Sequence, residues 1–535
     1  METIFDPRRF QSETVSLMVV KGKWIHASNL TPPATLTKES IDAVVRRQEH
    51  IEYFPNDPAR MGRSFPPTSV PTAKWDEIPS EVGAPLKTEN SPFSSVRYVG
   101  YRSGKRSCVV CVRIGDNGEI GVAKNSRNQW LVPDPSGSQI LRIKGCGMWT
   151  QDDKVPYPST TLHTLGRPFN DTEIKTLRGF CFPETAANES FITTEVDNML
   201  DKMGMVPVAV PVGMWLYDEM EGDPAPLVPR ACCVLETTSD KRGENHFMTG
   251  LEMLLADKLT DDVATSILSR ATTIFGKHGR PIPSEANKPY TRVDVSDTQS
   301  LGKTMNSFLG KLDALLSPNS HTDFSKQMSH IPAEDILSIF SEEQSSDVDM
   351  GLLSELVYLF GWEGGKCMTA IHRAGYVWGS FCNLSTMEAI SNAHLDNLVV
   401  LPSETIINHK QLISPIDFDS SYAIRRTVDL FRDQPCESED YAESWLVSEF
   451  RQLLGDMGGA QAETACATIT SEPRRILSGP KKDFLWILRE LAVCGALLGY
   501  TTPLSTISCL SKPRFFENIA NLTEQILDYS RDINS

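Results

Sequence analysis

The sequence predicts an α+β protein in two lobes, a strand-rich first lobe followed by a helical second lobe with insertions. Three observations carry that reading. From Val96 the chain alternates short apolar runs with turns, in VRYVGYRSGKRSCVVCVRIGDNGEIGVAK and again in SQILRIKGCGMW, and Gly-Asp-Asn-Gly-Glu between two such runs is a hairpin signal. Beyond about residue 245 helical spacing takes over, resuming in GLLSELVYLF, continuing in CMTAIHRAGYVWGSF and filling most of the chain after residue 437. The third is the stretch from Asn392 to Asp419, where NAHLDNLVVL, a polar turn PSETIINHKQ and LISPIDFD set acidic residues at the ends of two short apolar runs.

Each part follows in order. At 535 residues the chain exceeds the size at which one core stops growing. Residues 1–95 are rich in Pro, Ser and Thr, as in LTPPATLTKES and SFPPTSVPTAKW, and predict an extended arm on the body of the protein. Residues 96–240 make the strand-rich lobe, with one helix over residues 184–204 that stops at Gly204, then strands in VPVAVPVGMWLYD and PRACCVLETTSD. Residues 241–535 make the helical lobe, including a polar, Ser-rich insertion at about 278–350.

Composition excludes several classes. Hydrophobic content of 40% with nine Trp and 22 Phe is that of a folding globular chain. A net charge of −17 argues against a general nucleic-acid surface. The 12 Cys show no ligand frame; Cys108 and Cys111 share a strand at a spacing that sends them to opposite faces, so reduced thiols in a cytoplasmic protein are expected. The N-terminal LMVV is too short for a signal peptide. FLWILRELAVCGALLGYTT carries Arg489 and Glu490 at its middle and reads as a core helix, with no membrane span expected. Asn29 and Asn521 then have no glycosylation role, and nothing indicates an oligomeric state.

An Asp-Asn pair opening one short strand and an Asp-Phe-Asp closing the next is how a protein-kinase-like bilobal fold holds Mg²⁺ on ATP. Asn397 and Asp417 are the candidate metal ligands, and Asp396 is the candidate catalytic residue that orients or deprotonates an acceptor hydroxyl. Such a fold also needs a Gly loop over the phosphates, a strand Lys, and a helix Glu to orient the Lys. Gly100 and Gly104 bracket YRSGKR, Lys144 ends the apolar run LRIK before the small-residue turn Gly-Cys-Gly, and Glu189 or Glu195 sits on the following helix. His394 beside the turn reads first as a structural residue.

Several of these fragments resemble the selenoprotein O family, kinase-like enzymes that transfer AMP onto protein hydroxyls. LRIKGCG is similar to its Leu-x-Lys-Gly-small-Gly strand end, NESFITTEV to its Glu-bearing helix, and RACCVLETTSDKRGENHF to the following strand and basic loop. AIHRAGYVWGS is similar to its helix ending in Gly-Phe-x-His-Gly, NAHLDN to its Asn-Thr-Asp-Asn, and IDFD to its Asp-Tyr-Gly. These span roughly residues 96 to 425. The resemblance implies a flipped ATP whose outer phosphates meet basic residues near the Gly loop, here Lys105 and Arg106, and a protein substrate with a Ser, Thr or Tyr hydroxyl. The chain departs from the family at Glu236, where an Arg is expected unless Arg230 or Arg242 replaces it. It departs also at Trp378 in place of His, at Asp419 in place of Gly, and in the inserted SFCNLSTMEAISN. The complete Lys, Glu, Asp-Asn and Asp set points to an enzyme, and the departures point to a kinase-like scaffold without catalysis. A structural protein with no nucleotide site is the third reading.

Overall fold

The computed structural model describes residues 22–26, 30, 99–102, 107–114, 120–121, 138–144, 181, 183–207, 209–217, 230–237, 239, 241–278, 333–340, 348–383, 388–418, 421–423, 449–450, 452–458, 477–504 and 506–531. The chain divides into two compact units. Met1–Asp197, Val208–Asp240 and Asp417–Tyr422 belong to the first; Asn198–Pro207, Lys241–Ile416 and Ala423–Ser535 belong to the second.

The first unit is built on an antiparallel sheet of seven strands among the described residues. The strands are β1 (Gly22–His26), β2 (Val99–Arg102), β3 (Ser107–Ile114), β4 (Ile120–Gly121), β5 (Ser138–Lys144), β6 (Ala209–Tyr217) and β7 (Arg230–Thr237). Their order is β1-β6-β7-β5-β3-β2, with β4 returning on β3. The runs on either side of Gly115 to Glu119 pair antiparallel, Ile114 opposite Ile120. Along β7 Ala231, Cys233 and Leu235 are buried at every second position, the period of a strand with one face in the core. Lys144 closes the inner strand β5, opposite Ser107 on one side and Cys233 on the other.

The Pro/Ser/Thr-rich arm was expected to be extended, and part of it is a paired strand: β1 lies along β6 with Trp24 opposite Trp215. Its GKWIH has the aromatic and β-branched residues that suit a sheet edge, and the surrounding prolines hid that signal. Gly100, expected in a loop over phosphates, is a strand residue opposite Val110.

Helix α1 (Pro183–Lys202) opens on Pro183, where a missing N–H costs nothing. Ala186, Glu189, Thr193 and Val196 form its buried stripe at helical spacing, and Thr194 and Glu195 face solvent. The helix stops in a left-handed Gly204 (φ +69), with Met205 N–H on Leu200 O and Gly204 N–H on Asp201 O, the paired bonds of a glycine-terminated helix.

The second unit is mainly helical. Strand β8 (Lys241–Arg242) leads through a π turn (Gly243–Met248) into α2 (Thr249–Lys258) and α3 (Asp261–Lys277), the latter capped by Thr260 Oγ1 accepting from Val263 N–H. Within the polar interval 278–350 the structure describes α4 (Ala333–Ser338) and little else. Helix α5 (Met350–Arg373) is buried along nearly its whole length and crosses α7 (Gly479–Thr501); α8 (Phe515–Arg531) packs on α2.

The helix expected to continue through AGYVWGSF ends at Arg373, because Gly375 takes φ +91. Strand β9 (Tyr376–Val377) follows, and the inserted segment forms a hairpin of β10 (Gly379–Asn383) and β11 (Glu388–Ser391). Strands β12 (Leu398–Val400) and β13 (Ile413–Pro415) pair antiparallel, and β8 adds a third strand beside β12. What joins β12 to β13 is a short helix, α6 (Ser403–His409), where a polar turn was expected; Lys410 at φ 54 ends it.

Among the described residues α7 alone is long and apolar enough to cross a membrane, with a mean hydropathy of 1.4, and 72% of that window is buried inside the protein. Arg489 at its middle bonds Asp456 O and Glu244.

Candidate functional site

In the first unit Lys144 Nζ donates to Glu189 Oε2 at 2.9 Å and also meets the Asp417 carboxylate. The three residues lie 45 and 273 positions apart in sequence, so the fold, not local chain geometry, gathers them. Lys144 and Glu189 side chains are 8% and 3% exposed, while Asp417 keeps 30%. A buried ammonium and carboxylate are tolerated together because each satisfies the other, and removing one would strand the second. The buried stripe of α1 explains why Glu189 turns inward. Glu195, six residues on, is on the opposite, exposed face and does not join the group.

Other groups hold this arrangement in place. Cys181 Sγ lies 3.8 Å from Lys144 O, and Asn188 Nδ2 donates to Ser421 O at 3.1 Å, four residues past Asp417. Cys233, opposite Lys144 in the sheet, is fully enclosed; burial pushes its thiol up, with the Glu189 charge adding to the rise. It is a packing residue rather than a nucleophile. Asp417 itself has φ 73, a left-handed backbone that L residues seldom adopt.

The second unit holds a polar loop around Asp396. Asn245 grips both oxygens of the Asp396 carboxylate, its backbone N–H donating to Oδ1 at 2.9 Å and its side-chain amide to Oδ2. Arg242 Nη1 donates to Asp396 O at 2.9 Å. Glycine is required at 243, since a Cβ there would stand 2.4 Å from Leu395 O; the π turn can approach the Asp396 loop only without a side chain. Burial raises the Asp396 pKa, and the Asn245 N–H and Arg242 charge oppose the rise. Asp456 accepts from Leu395 N–H at 2.6 Å and is pushed up to about 7 by burial, then by the Glu244 charge. Burial raises Glu244 too, against the pull of Arg489. The loop is therefore surrounded by carboxyls with raised proton affinity.

Asn397 is 3% exposed, and its Nδ2 donates to Asn392 O at 3.0 Å and meets His394 Nε2 at 3.1 Å. With its nitrogen so engaged, Oδ1 is left as an oxygen donor. His394 thus orients Asn397, the structural role expected of it. Asn397 in the second unit and Asp417 in the first each carry a hard oxygen of the kind Mg²⁺ takes. Among the described residues no cluster of three or more His, Cys, Asp or Glu could hold a metal.

Gly104, Lys105, Arg106 and Asp419 lie outside the described residues. Arg242 is in the second unit, on the main chain of Asp396. Glu236 and Arg230 are β7 residues opposite Leu141 and Tyr217. Sequence reasoning missed Asn245, Asp456 and Glu363. Glu363 is a buried α5 residue whose Oε2 accepts from Leu412 and Ile413 N–H at 2.7 and 2.9 Å, fixing the start of β13. Its one sequence signal is a carboxylate inside the apolar helix run GLLSELVYLFGWEGG.

No family model matches this chain, and no curated protein or solved structure is significantly similar to it.

Proposed function

We propose that the chain is a protein-kinase-like, ATP- and Mg²⁺-dependent enzyme of the cytoplasm that transfers AMP to a Ser, Thr or Tyr hydroxyl of a protein. The observation that carries this reading is Lys144 held between Glu189 and Asp417. A strand-end Lys paired with a helix Glu and an Asp from a distant loop is the set that positions nucleotide phosphates in kinase-like folds. The fragments similar to the selenoprotein O family support AMP as the group moved.

In this reading Lys144 binds ATP phosphate oxygens and Glu189 keeps the ammonium aimed. Asn397 and Asp417 would hold Mg²⁺, which would neutralise charge on the phosphates. The Asn397 main-chain O accepts from Ile416 N–H, and Ile416 is the residue just before Asp417 in sequence. Asp396 accepts the hydroxyl proton of the acceptor, a task its raised proton affinity favours.

A second reading, a nucleotide-binding scaffold without transfer, is favoured by one observation: Asn245 engages both Asp396 oxygens. The test is incubation with Mg²⁺ and ATP labelled at the α or the γ phosphate, beside Asp417→Ala. Label kept on protein from α-labelled ATP alone and lost in the variant supports AMP transfer. Retention from the γ label alone makes a kinase. Mg²⁺-dependent ATP binding without label transfer favours the scaffold, and no binding at all refutes both readings.

A further inference from the structure

Trp378 stands in the sequence where the resembling family has His, and it reads there as a departure that weakens the site. The second unit gives it a different meaning. Trp378 is wholly buried, and its indole Nε1–H donates to Ile416 O at 3.0 Å. Ile416 N–H donates in turn to Asn397 O at 2.9 Å. Asn397 Nδ2 donates to Asn392 O at 3.0 Å, and Asn392 N–H returns to Trp378 O at 2.8 Å. The four bonds close a ring: Trp378, Ile416, Asn397, Asn392 and back to Trp378. Its members come from the turn after β9, the loop after β11, the turn just before β12 and the residue after β13, so no local chain geometry accounts for it.

From this ring we infer that Trp378 is a positioning residue for both proposed metal ligands. It acts through the main chain: its N–H fixes the peptide of Ile416, which fixes the entry to Asp417, while the other arm of the ring fixes the Asn397 amide with Oδ1 free of its nitrogen's partners. A buried carbonyl such as Ile416 O, at 2% exposure, needs a donor. In this chain the indole supplies the N–H and its bulk fills the space, and the remaining ring bonds each lean on that one. The inference rests on the proposed Mg²⁺·ATP site.

The test replaces Trp378 with Phe in the full-length protein, which keeps an aromatic ring and deletes the donor. Two readings are taken: amide hydrogen exchange of the peptides spanning residues 388–397 and 412–418, and calorimetric titration of ATP at a series of Mg²⁺ concentrations. The expected result is that the Ile416 and Asn392 amides exchange about tenfold faster and that half-saturation needs about tenfold more Mg²⁺, while ATP binding at saturating Mg²⁺ is kept. Where Trp378→Phe is too unstable to purify, benzothienylalanine at 378 serves, since it replaces the N–H by sulfur in the same shape. Unchanged Mg²⁺ dependence in the variant with normal binding in the wild type overturns the positioning role and leaves the proposed function standing. Wild-type protein that binds no ATP at any Mg²⁺ concentration overturns the proposed function, and this inference with it.

Discussion

Replacing Gly499 by Ala should destabilise the second unit strongly, although the change adds a single methyl group. Helices α5 and α7 cross through glycines on both partners. A Cβ on Gly361 would lie 1.9 Å from Ala492 O, one on Gly365 2.1 Å from Ala496 O, one on Gly495 2.4 Å from Tyr358 O, and one on Gly499 1.9 Å from Trp362 O. Each obstacle is a backbone oxygen, which cannot swing aside as a side chain can. Ordinary contact begins near 3.4 Å, so a methyl at Gly499 would force the axes apart by about 1.5 Å at the crossing. Overpacking a close-packed core costs about 1–3 kcal/mol, and a gap of this width forfeits a large part of the dispersion across the seam, so the loss should be about 3 kcal/mol. In a unit of this size that lowers the melting temperature by about 5 °C. The control is Gly276→Ala near the end of α3, where a Cβ meets nothing within 4 Å; it should gain about 0.5 kcal/mol. The assay is thermal unfolding of both variants followed by circular dichroism at the helix band. If Gly499→Ala melts as high as Gly276→Ala, the seam does not hold α5 and α7 together and the argument is wrong. The consequence reaches the site, because Glu363 lies on α5 between Gly361 and Gly365 and holds the N–H groups that start β13.

Glu189→Ala should abolish Mg²⁺-dependent ATP binding, measured by calorimetry, whereas Glu195→Ala on the exposed face of α1 should bind as the wild type does; equal loss in both would refute the assignment of Glu189. Burial pushes Glu363 up from 4.5 to about 7, so the native state keeps a proton that the unfolded chain has already released. Stability from this group is present below about pH 4.5 and is lost as pH rises to about 7, by up to roughly 3 kcal/mol; Glu363→Gln should flatten that slope in urea unfolding taken at several pH values. Asn245 favours the charged form of the Asp396 carboxylate against the rise from burial, so Asn245→Ala should raise the Asp396 pKa further and, if the proposed transfer takes place, move the acid limb of its rate to higher pH; a fall would refute the role.

What the sequence made legible and what it hid divide along physical lines. Local signals came through: the strand runs around Lys144, the glycine that stops α1, and the short apolar pairs at β12 and β13 are set by periodicity and turn chemistry within a few residues. The candidate Lys, Glu and Asp were named from order along the chain, and the structure brings Lys144, Glu189 and Asp417 together. The choice between Glu189 and Glu195 was readable in principle, since only Glu189 shares a helical stripe with Ala186 and Val196. Main-chain partners were not readable. Trp378 and Glu363 work by bonding peptide groups far away in sequence, and no side-chain pattern records which peptide a side chain will meet. The β1 strand was masked by its neighbours' composition, and the helix α6 was too short for a period to declare itself.

Asp417, the proposed metal ligand, sits in a backbone conformation that costs the fold. Its φ of 73 is a conformation that a residue with a Cβ adopts at a penalty of about 1–2 kcal/mol, and glycine would adopt it without one. The backbone is kept there because Ile416, just before it, is bonded at both its N–H and its C=O, while the carboxylate is held by Lys144. Strain at a single position, held by bonds on either side, clusters at functional sites in proteins and is consistent with the role proposed for Asp417. Two substitutions separate the terms. Asp417→Ala removes the carboxylate and keeps the strained Cβ, and Asp417→Gly removes both. Each deletes the same partner of Lys144, so the difference between them isolates the backbone. Asp417→Gly should be the more stable of the two by about 1 kcal/mol in chemical denaturation, after allowing for the extra freedom of glycine in the unfolded chain. If alanine proves equal or better, the left-handed backbone at 417 is not strained, and the argument that the site imposes its geometry on the chain fails at that residue.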